Sequence, residues 1–136
     1  MRLSSLYPTA LLAAAALVLP QTASAAVTDP VAYKEALGCA ATMVVATVML
    51  GGTEKTPTSA EMVEASKKTR EFGTSWLMRA GTFSSDSEDQ LGKEFTTEAE
   101  RQTTEYLKAP SGEAFDNGFR ADFRRCLTRG KELGIN

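Results

Sequence analysis

Apolar residues form one unbroken run near the start of the chain and three helical stripes after it. The run is 36–50, ALGCAATMVVATVML, in which Thr42 and Thr47 are the only polar residues. A helix that is apolar on every side must be covered on every side. The pattern therefore predicts a central first helix over Pro30–Leu50, ending at Gly51-Gly52.

The later segments repeat apolar residues every three or four positions, which is the spacing of one face of an α-helix. Possible capping residues precede each segment, with Thr58 and Ser85 in capping boxes and Ser111 as a single cap. No segment alternates with the two-residue period of a half-buried strand. The predicted class is all-α, with the later helices over about Ser59–Ala80, Asp86–Lys108 and Gly112–Leu133.

Four helices of similar length joined by short links favour a four-helix up-down-up-down bundle built around the apolar first helix. Large apolar residues near the middle of each stripe should fill its interior, because they fall on the face that the other helices cover. The predicted core residues are Leu37, Val44, Val48, Phe72, Trp76, Phe95, Phe119 and Phe123.

The two cysteines, Cys39 and Cys126, should form a disulfide between the first and fourth helices. In the predicted bundle these helices are antiparallel neighbours. Cys39 lies about 14 Å from the start of the first helix, and Cys126 about 11 Å from the end of the fourth. The two thiols are therefore at similar heights, as a disulfide requires.

The N-terminal residues 1–25 have the pattern of a cleaved secretory signal peptide. Arg2 supplies the charge, Ala10–Leu19 the apolar segment and Ala23-Ser24-Ala25 an A-x-A cleavage site. An uncleaved membrane anchor is the less favoured interpretation, because the apolar segment is short. We therefore expect a single helical domain over 26–136 that is periplasmic or extracellular, and the short Ala-rich signal is typical of bacteria.

The first helix also needs to be weighed as a membrane span, because 36–53 carries no charge. Its strongly apolar part is short for a span and rich in small residues, which favours a core helix. We expect no membrane span in the mature chain. The chain carries 15 basic and 17 acidic residues, and this acidic balance argues against nucleic acid as a partner.

The composition argues against most enzyme classes. The chain contains no histidine, which removes Ser-His and Cys-His nucleophiles, His-ligated zinc and haem, and the usual general base. The glycine-rich, phosphate-binding and S-x-x-K motifs are also absent from the sequence. We therefore predict no enzymatic activity, no metal and no cofactor, and we interpret the scattered methionines as core residues.

Carboxylates on the third helix are the remaining catalytic candidates. Glu94, Glu98 and Glu105 share one flank, and a pair of them could serve as acid and base in glycoside hydrolysis. Arg101 lies three residues after Glu98 and four before Glu105. This spacing favours ordinary ion pairs on a solvated face.

The first helix has more apolar surface than a bundle interior needs. At 100° per residue, Val45 and Met49 point away from both the core stripe and the fourth helix. Either a displaced third helix or the 109–118 segment covers this face, or the face binds another protein or a second copy. Arg120 and Arg124 on the fourth helix form a second candidate surface, suited to an acidic partner.

These observations predict an exported, non-enzymatic helical protein that acts through protein–protein contacts. An inhibitor, an immunity protein, a chaperone or a subunit of an envelope complex would fit, with an unidentified protein or a second copy as the partner. The alternative is a carrier that holds a small apolar ligand inside the bundle, and a carboxylate hydrolase ranks third.

Overall fold

The computed structural model describes residues 27–51 and 59–136, and this part of the chain is built from four α-helices without a strand. The predicted all-α class is confirmed. The predicted signal peptide, 1–25, lies outside the described residues, as does most of the predicted link after the first helix. The helices are α1 (Pro30–Gly51), α2 (Ala60–Thr82), α3 (Glu88–Leu107) and α4 (Gly112–Glu132).

Serine side chains cap α2, α3 and α4 at their N-termini. Each hydroxyl accepts a hydrogen bond from a backbone N–H three residues later, which satisfies a donor that the helix leaves unpaired. The caps of α2 and α3 lie one and two residues after the predicted Thr58 and Ser85, because neighbouring Ser and Thr residues can cap equally well. The pairs are Ser59 with Met62, Ser87 with Gln90 and Ser111 with Ala114.

Hydrogen bonds across α1 and α2 show that the two helices are antiparallel. At one end, the Thr28 N–H donates to the carbonyl of Phe83. At the other, the Ser66 hydroxyl donates to the carbonyl of Thr47 at 3.0 Å. The α4 helix is also antiparallel to α1, and α3 is parallel to it, so the predicted up-down-up-down order is confirmed.

The α3 helix packs directly on α1, although these two helices are diagonal in a square four-helix bundle. The Gln102 side chain donates to the carbonyl of Gly38 at 2.8 Å, and the Thr42 hydroxyl donates to the Gln102 carbonyl oxygen at 3.0 Å. A Cβ added at Gly38 would lie 3.7 Å from the Gln102 side-chain nitrogen, an ordinary contact distance, so α3 packs on this turn of α1 without crowding it. The α1 helix thus contacts all three other helices and is central, as its apolar run predicts.

The predicted disulfide between Cys39 and Cys126 is confirmed. Its Cα atoms are 5.4 Å apart, and both cysteines are buried. One turn away on each helix, the Arg129 guanidinium donates to Glu35 at 3.2 Å. The disulfide and this partly exposed ion pair hold the N-terminal half of α1 against the C-terminal half of α4.

The core lies around the N-terminal two thirds of α1. Trp76 is fully buried, and Leu37 and Phe119 are also buried as predicted. The three remaining predicted aromatic residues are half-buried at the edge of the core, namely Phe72, Phe95 and Phe123.

The prediction that Val44 and Val48 are core residues is wrong. Val44 is 37% exposed and Val48 is 70% exposed. At 100° per residue Leu37, Val44 and Val48 lie on one stripe of α1, and the prediction assumes that the whole stripe is buried. Opposite Val44 and Val48, however, α3 presents the small residues Ala99 and Thr103, which are too short to cover them and leave a cavity between the helices.

The α1 helix is long and apolar enough to cross a membrane by length and composition. Its middle residues are nevertheless buried by the other helices, and Ala36, Ala41 and Met43 are fully covered. This arrangement is typical of the core helix of a bundle.

Candidate functional site

An apolar cleft lies along the C-terminal half of α1, where the bundle interior opens to the surface. It consists of two adjoining cavities that share Met49. The cavity on the α3 side has a volume of about 270 Å³, and its walls are Val44, Val45, Val48, Met49, Ala99, Thr103, Tyr106, Leu107 and Phe115. The cavity on the α4 side has a volume of about 480 Å³, and its walls are Ala46, Met49, Leu50, Asp116, Phe119, Arg120, Phe123, Arg124 and Leu127. We call the two together the α1 cleft.

Large apolar side chains in the α1 cleft are exposed to solvent. Val48 and Leu107 are 70% and 73% exposed, and Met49 and Leu127 are 43% and 41% exposed. Single exposed apolar residues are normal on a protein surface, but several that line one concave surface are a feature of interaction sites. Burial of these side chains by a partner would be favourable by about 25 cal/mol for each Å² removed from water.

Aromatic packing holds the α3–α4 wall of the cleft in place. The Tyr106 ring lies edge-on to Phe115 and to Phe119, with both pairs of ring centroids 5.8 Å apart. The Tyr106 hydroxyl donates to Asp122 at 2.7 Å. Burial and this bond to a carboxylate both raise the pKa of Tyr106, because both disfavour its ionised form. The wall is therefore anchored by a neutral tyrosine that joins the two helices.

Among the described residues that line the cleft, the charged side chains all belong to α4. Arg120 and Asp116 form an exposed ion pair with a separation of 3.7 Å between nitrogen and oxygen. Such exposed pairs are weak, because water and salt screen them. Arg124 is exposed and forms no ion pair with any residue of 27–51 or 59–136. The α4-side cavity thus carries two guanidinium groups and one carboxylate.

The structure brings together the two surfaces that the sequence suggested separately. Val45 is half-buried in the α3-side cavity, and Met49 lies between the cavities. Arg120 and Arg124 line the α4-side cavity, next to Met49. All four candidate partner-binding residues therefore belong to one cleft.

Several residues of the cleft were not anticipated as surface residues from the sequence. The sequence pattern predicts Val44 and Val48 as core residues, and it singles out neither Phe115 nor Leu107 as a surface residue. Phe115 is half-buried and Leu107 is 73% exposed.

The apolar face of α1 is covered along one part of the helix and open along another. Around Gly38 and Thr42, α3 lies directly on α1 through Gln102. Beyond Val44 the same face is only partly covered, because the opposing side chains of α3 are small. The face is thus internal in the middle of the helix and exposed near its C-terminal end.

The candidate catalytic carboxylates have different neighbours. Glu94 accepts a hydrogen bond from the Tyr33 hydroxyl. Glu98 is bound by Arg101 at 2.6 Å, and Glu105 by Lys108 at 2.7 Å. These cations lower the pKa of Glu98 and of Glu105, which is opposite to the shift that a general acid requires at neutral pH.

A further cavity of about 680 Å³ lies between α1 and α3 at the opposite end of the bundle from the cleft. Its walls carry charged side chains of both signs, including Lys34, Lys93, Glu94 and Arg101. Val27, Tyr33 and Leu37 contribute apolar surface to the same walls. Within residues 27–51 and 59–136, no group of three or more histidine, cysteine or acidic side chains is arranged to hold a metal ion.

In comparisons with known proteins, no protein-family model, no curated protein sequence and no solved structure matches the chain.

Proposed function

We propose that this protein is exported and acts without catalysis, by binding another protein through the α1 cleft. The single observation that carries the proposal is the exposure of Val48 and Met49 where they line a concave apolar surface. A helix that is otherwise central to the fold leaves these two side chains in contact with water.

Export is supported by the disulfide. A buried disulfide in a small helical domain indicates an oxidising compartment, because disulfides are rare in the reducing cytosol. The N-terminal sequence pattern of a signal peptide agrees with this. We therefore place the protein in the periplasm or outside the cell, where inhibitors, immunity proteins, chaperones and envelope-complex subunits act.

A carrier of a small apolar ligand is the second candidate function. The α3-side cavity supports it, because its walls are almost entirely apolar. Its volume of about 270 Å³ is slightly below the range of about 300–1,000 Å³ that is usual for small-molecule sites. The neighbouring cavity opens along an arginine rim, which suits a polypeptide better than a buried apolar molecule. Protein contacts are therefore the preferred function.

Affinity purification of the tagged, exported protein from the cells that naturally produce it tests the proposal. The variant is Val48→Glu, which places a charge in the cleft. Because Val48 is exposed, this variant should leave the fold intact. The matched control is Val31→Glu, because Val31 is an 80% exposed valine near the other end of α1.

We expect a protein to co-purify with the wild type and with Val31→Glu and to be lost with Val48→Glu. Light scattering on the same three proteins would reveal a second copy as the partner by a doubled mass that Val48→Glu abolishes. An unchanged mass together with the same co-purifying proteins in all three samples would contradict the proposal. Extraction of an apolar small molecule from the wild type alone would favour the carrier.

A further inference from the structure

We infer that the occupant of the α1 cleft is an amphipathic helix of a different polypeptide, with acidic residues beside its apolar stripe. This inference rests on the proposed function and specifies the partner's chemistry. Three properties of the cleft support it, namely its concave shape, its length and the sign of its charged rim.

The charged rim of the cleft argues against a second copy of this chain. A two-fold symmetric contact uses the same patch of both copies. It would bring the Arg120 and Arg124 guanidinium groups of both copies into one interface, with a single Asp116 carboxylate from each, and like charges repel there. The cavities also need convex side chains to fill them, because protein interfaces are packed about as densely as protein interiors.

The length of the cleft fits a short helix. Its α4 wall extends from Phe115 to Leu127, which is about 18 Å at the helical rise per residue. A partner helix of about three turns would cover this distance and place apolar side chains at the i, i+3, i+4 and i+7 positions against Val48 and Met49.

The charge of the rim specifies the flanking residues of that helix. Arg120 and Arg124 stand on the α4 side of the cleft. Among residues 27–51 and 59–136, Asp116 pairs with Arg120, and Arg124 has no ion-pair partner. A guanidinium group at an interface rim favours a carboxylate on the partner, since opposite charges attract and a like charge is repelled. Glutamate or aspartate residues beside the apolar stripe would therefore meet Arg124 when the helix is seated.

Photo-crosslinking identifies the segment that occupies the cleft. The exported protein is produced in its natural cells with p-benzoylphenylalanine in place of Val48, or in place of Val31 as the control, and the crosslinked peptide is sequenced by mass spectrometry. We expect position 48, and not position 31, to capture one segment of another protein that has an apolar stripe at helical spacing with acidic neighbours.

The captured segment is then synthesised as a peptide and titrated calorimetrically against the wild type, Arg124→Glu and Lys131→Glu. Lys131 is the control because it is an exposed cation on the same helix outside the cleft. Arg124→Glu should weaken binding about tenfold, while Lys131→Glu should change it less than twofold. Replacing the peptide's acidic residues by lysine should restore affinity for Arg124→Glu.

The outcomes separate this inference from the proposed function. Three results would overturn the acidic-helix inference and still leave a protein-binding cleft. They are a crosslink to a second copy of the chain, a crosslink to a segment without acidic residues, and equal effects of the two charge reversals. A crosslink to lipid, or no crosslink at position 48 beyond that at position 31, would overturn both.

Discussion

Gly73 of α2 faces Met43 of α1 so closely that a Cβ added at Gly73 would lie 2.9 Å from the Cβ of Met43. Met43 is fully buried. The added Cβ would also lie 3.6 Å from the carbonyl oxygen of Ala40, so neither the Met43 Cβ nor this backbone oxygen can move aside easily. The absence of a side chain at Gly73 is therefore what allows the two antiparallel helices to approach at this level.

Replacing Gly73 by alanine should lower the free energy of unfolding by about 1–3 kcal/mol, as overpacking does in other cores. Helix propensity alone would predict the opposite, a gain of about 1 kcal/mol. The control is Gly92→Ala in α3, where an added Cβ meets nothing within 4 Å and should stabilise by about 0.5–1 kcal/mol. Urea melts that show a gain for both variants would contradict the close approach of α1 and α2.

The disulfide should contribute a large part of the stability. Thiol titration of the protein isolated from its natural cells, unfolded without reductant, should find no free thiol, because Cys39 and Cys126 are paired. Replacing both cysteines by alanine should lower the free energy of unfolding by about 2–5 kcal/mol, since the unfolded chain then regains the freedom of a long loop. Two titratable thiols in that protein, or an unchanged urea melt of the double variant, would refute this prediction.

Gln102 should matter more than a surface glutamine, because it satisfies two polar groups of the buried α1–α3 contact. Gln102→Ala removes the bonds to the Gly38 carbonyl and the Thr42 hydroxyl, which still bond to each other, and should cost about 0.5–1.5 kcal/mol of unfolding free energy for each lost bond. Thr104→Ala on the exposed side of α3 should change stability by less than about 0.5 kcal/mol. Equal shifts of the two urea midpoints would show that α3 does not depend on this contact.

The two tyrosines of the described chain should make the fold sensitive to alkali. Burial and a hydrogen bond to a carboxylate, Glu94 for Tyr33 and Asp122 for Tyr106, raise the pKa of both hydroxyls well above the usual value of about 10. Because the folded-state pKa exceeds the unfolded one, this stabilisation is complete below about pH 10 and is lost as the pH rises further.

Absorbance titration at alkaline pH checks this prediction together with circular dichroism. We expect tyrosinate to form only at a pH above the usual tyrosine pKa of about 10, and at the same pH at which the helical signal is lost. The double variant Tyr33→Phe, Tyr106→Phe should show a shallower fall of stability with rising pH. Ionisation of both tyrosines near pH 10 with the helices intact would contradict their buried, carboxylate-bonded state.

The helices and the disulfide were readable from the sequence, because each depends on local or simple geometric rules. Apolar spacing, serine caps and glycine or proline stops are properties of neighbouring residues. The pairing of Cys39 with Cys126 followed from helix lengths and from an antiparallel order. Val45, Met49, Arg120 and Arg124 were also singled out, as two separate pairs, from their positions on the faces of α1 and α4, and their binding of a partner stays a prediction.

The tertiary structure alone decided where the first helix is covered and where it is open. An apolar run shows that burial is favourable at every position, but the coverage of each position depends on the side chains of another helix. Gln102 reaches Gly38 and closes one stretch, whereas Ala99 and Thr103 are too small to cover Val44 and Val48. The cleft that contains Val45, Met49, Arg120 and Arg124 also depends on tertiary packing. It forms because α3 and α4 lie at particular heights along α1, which the sequence pattern does not specify.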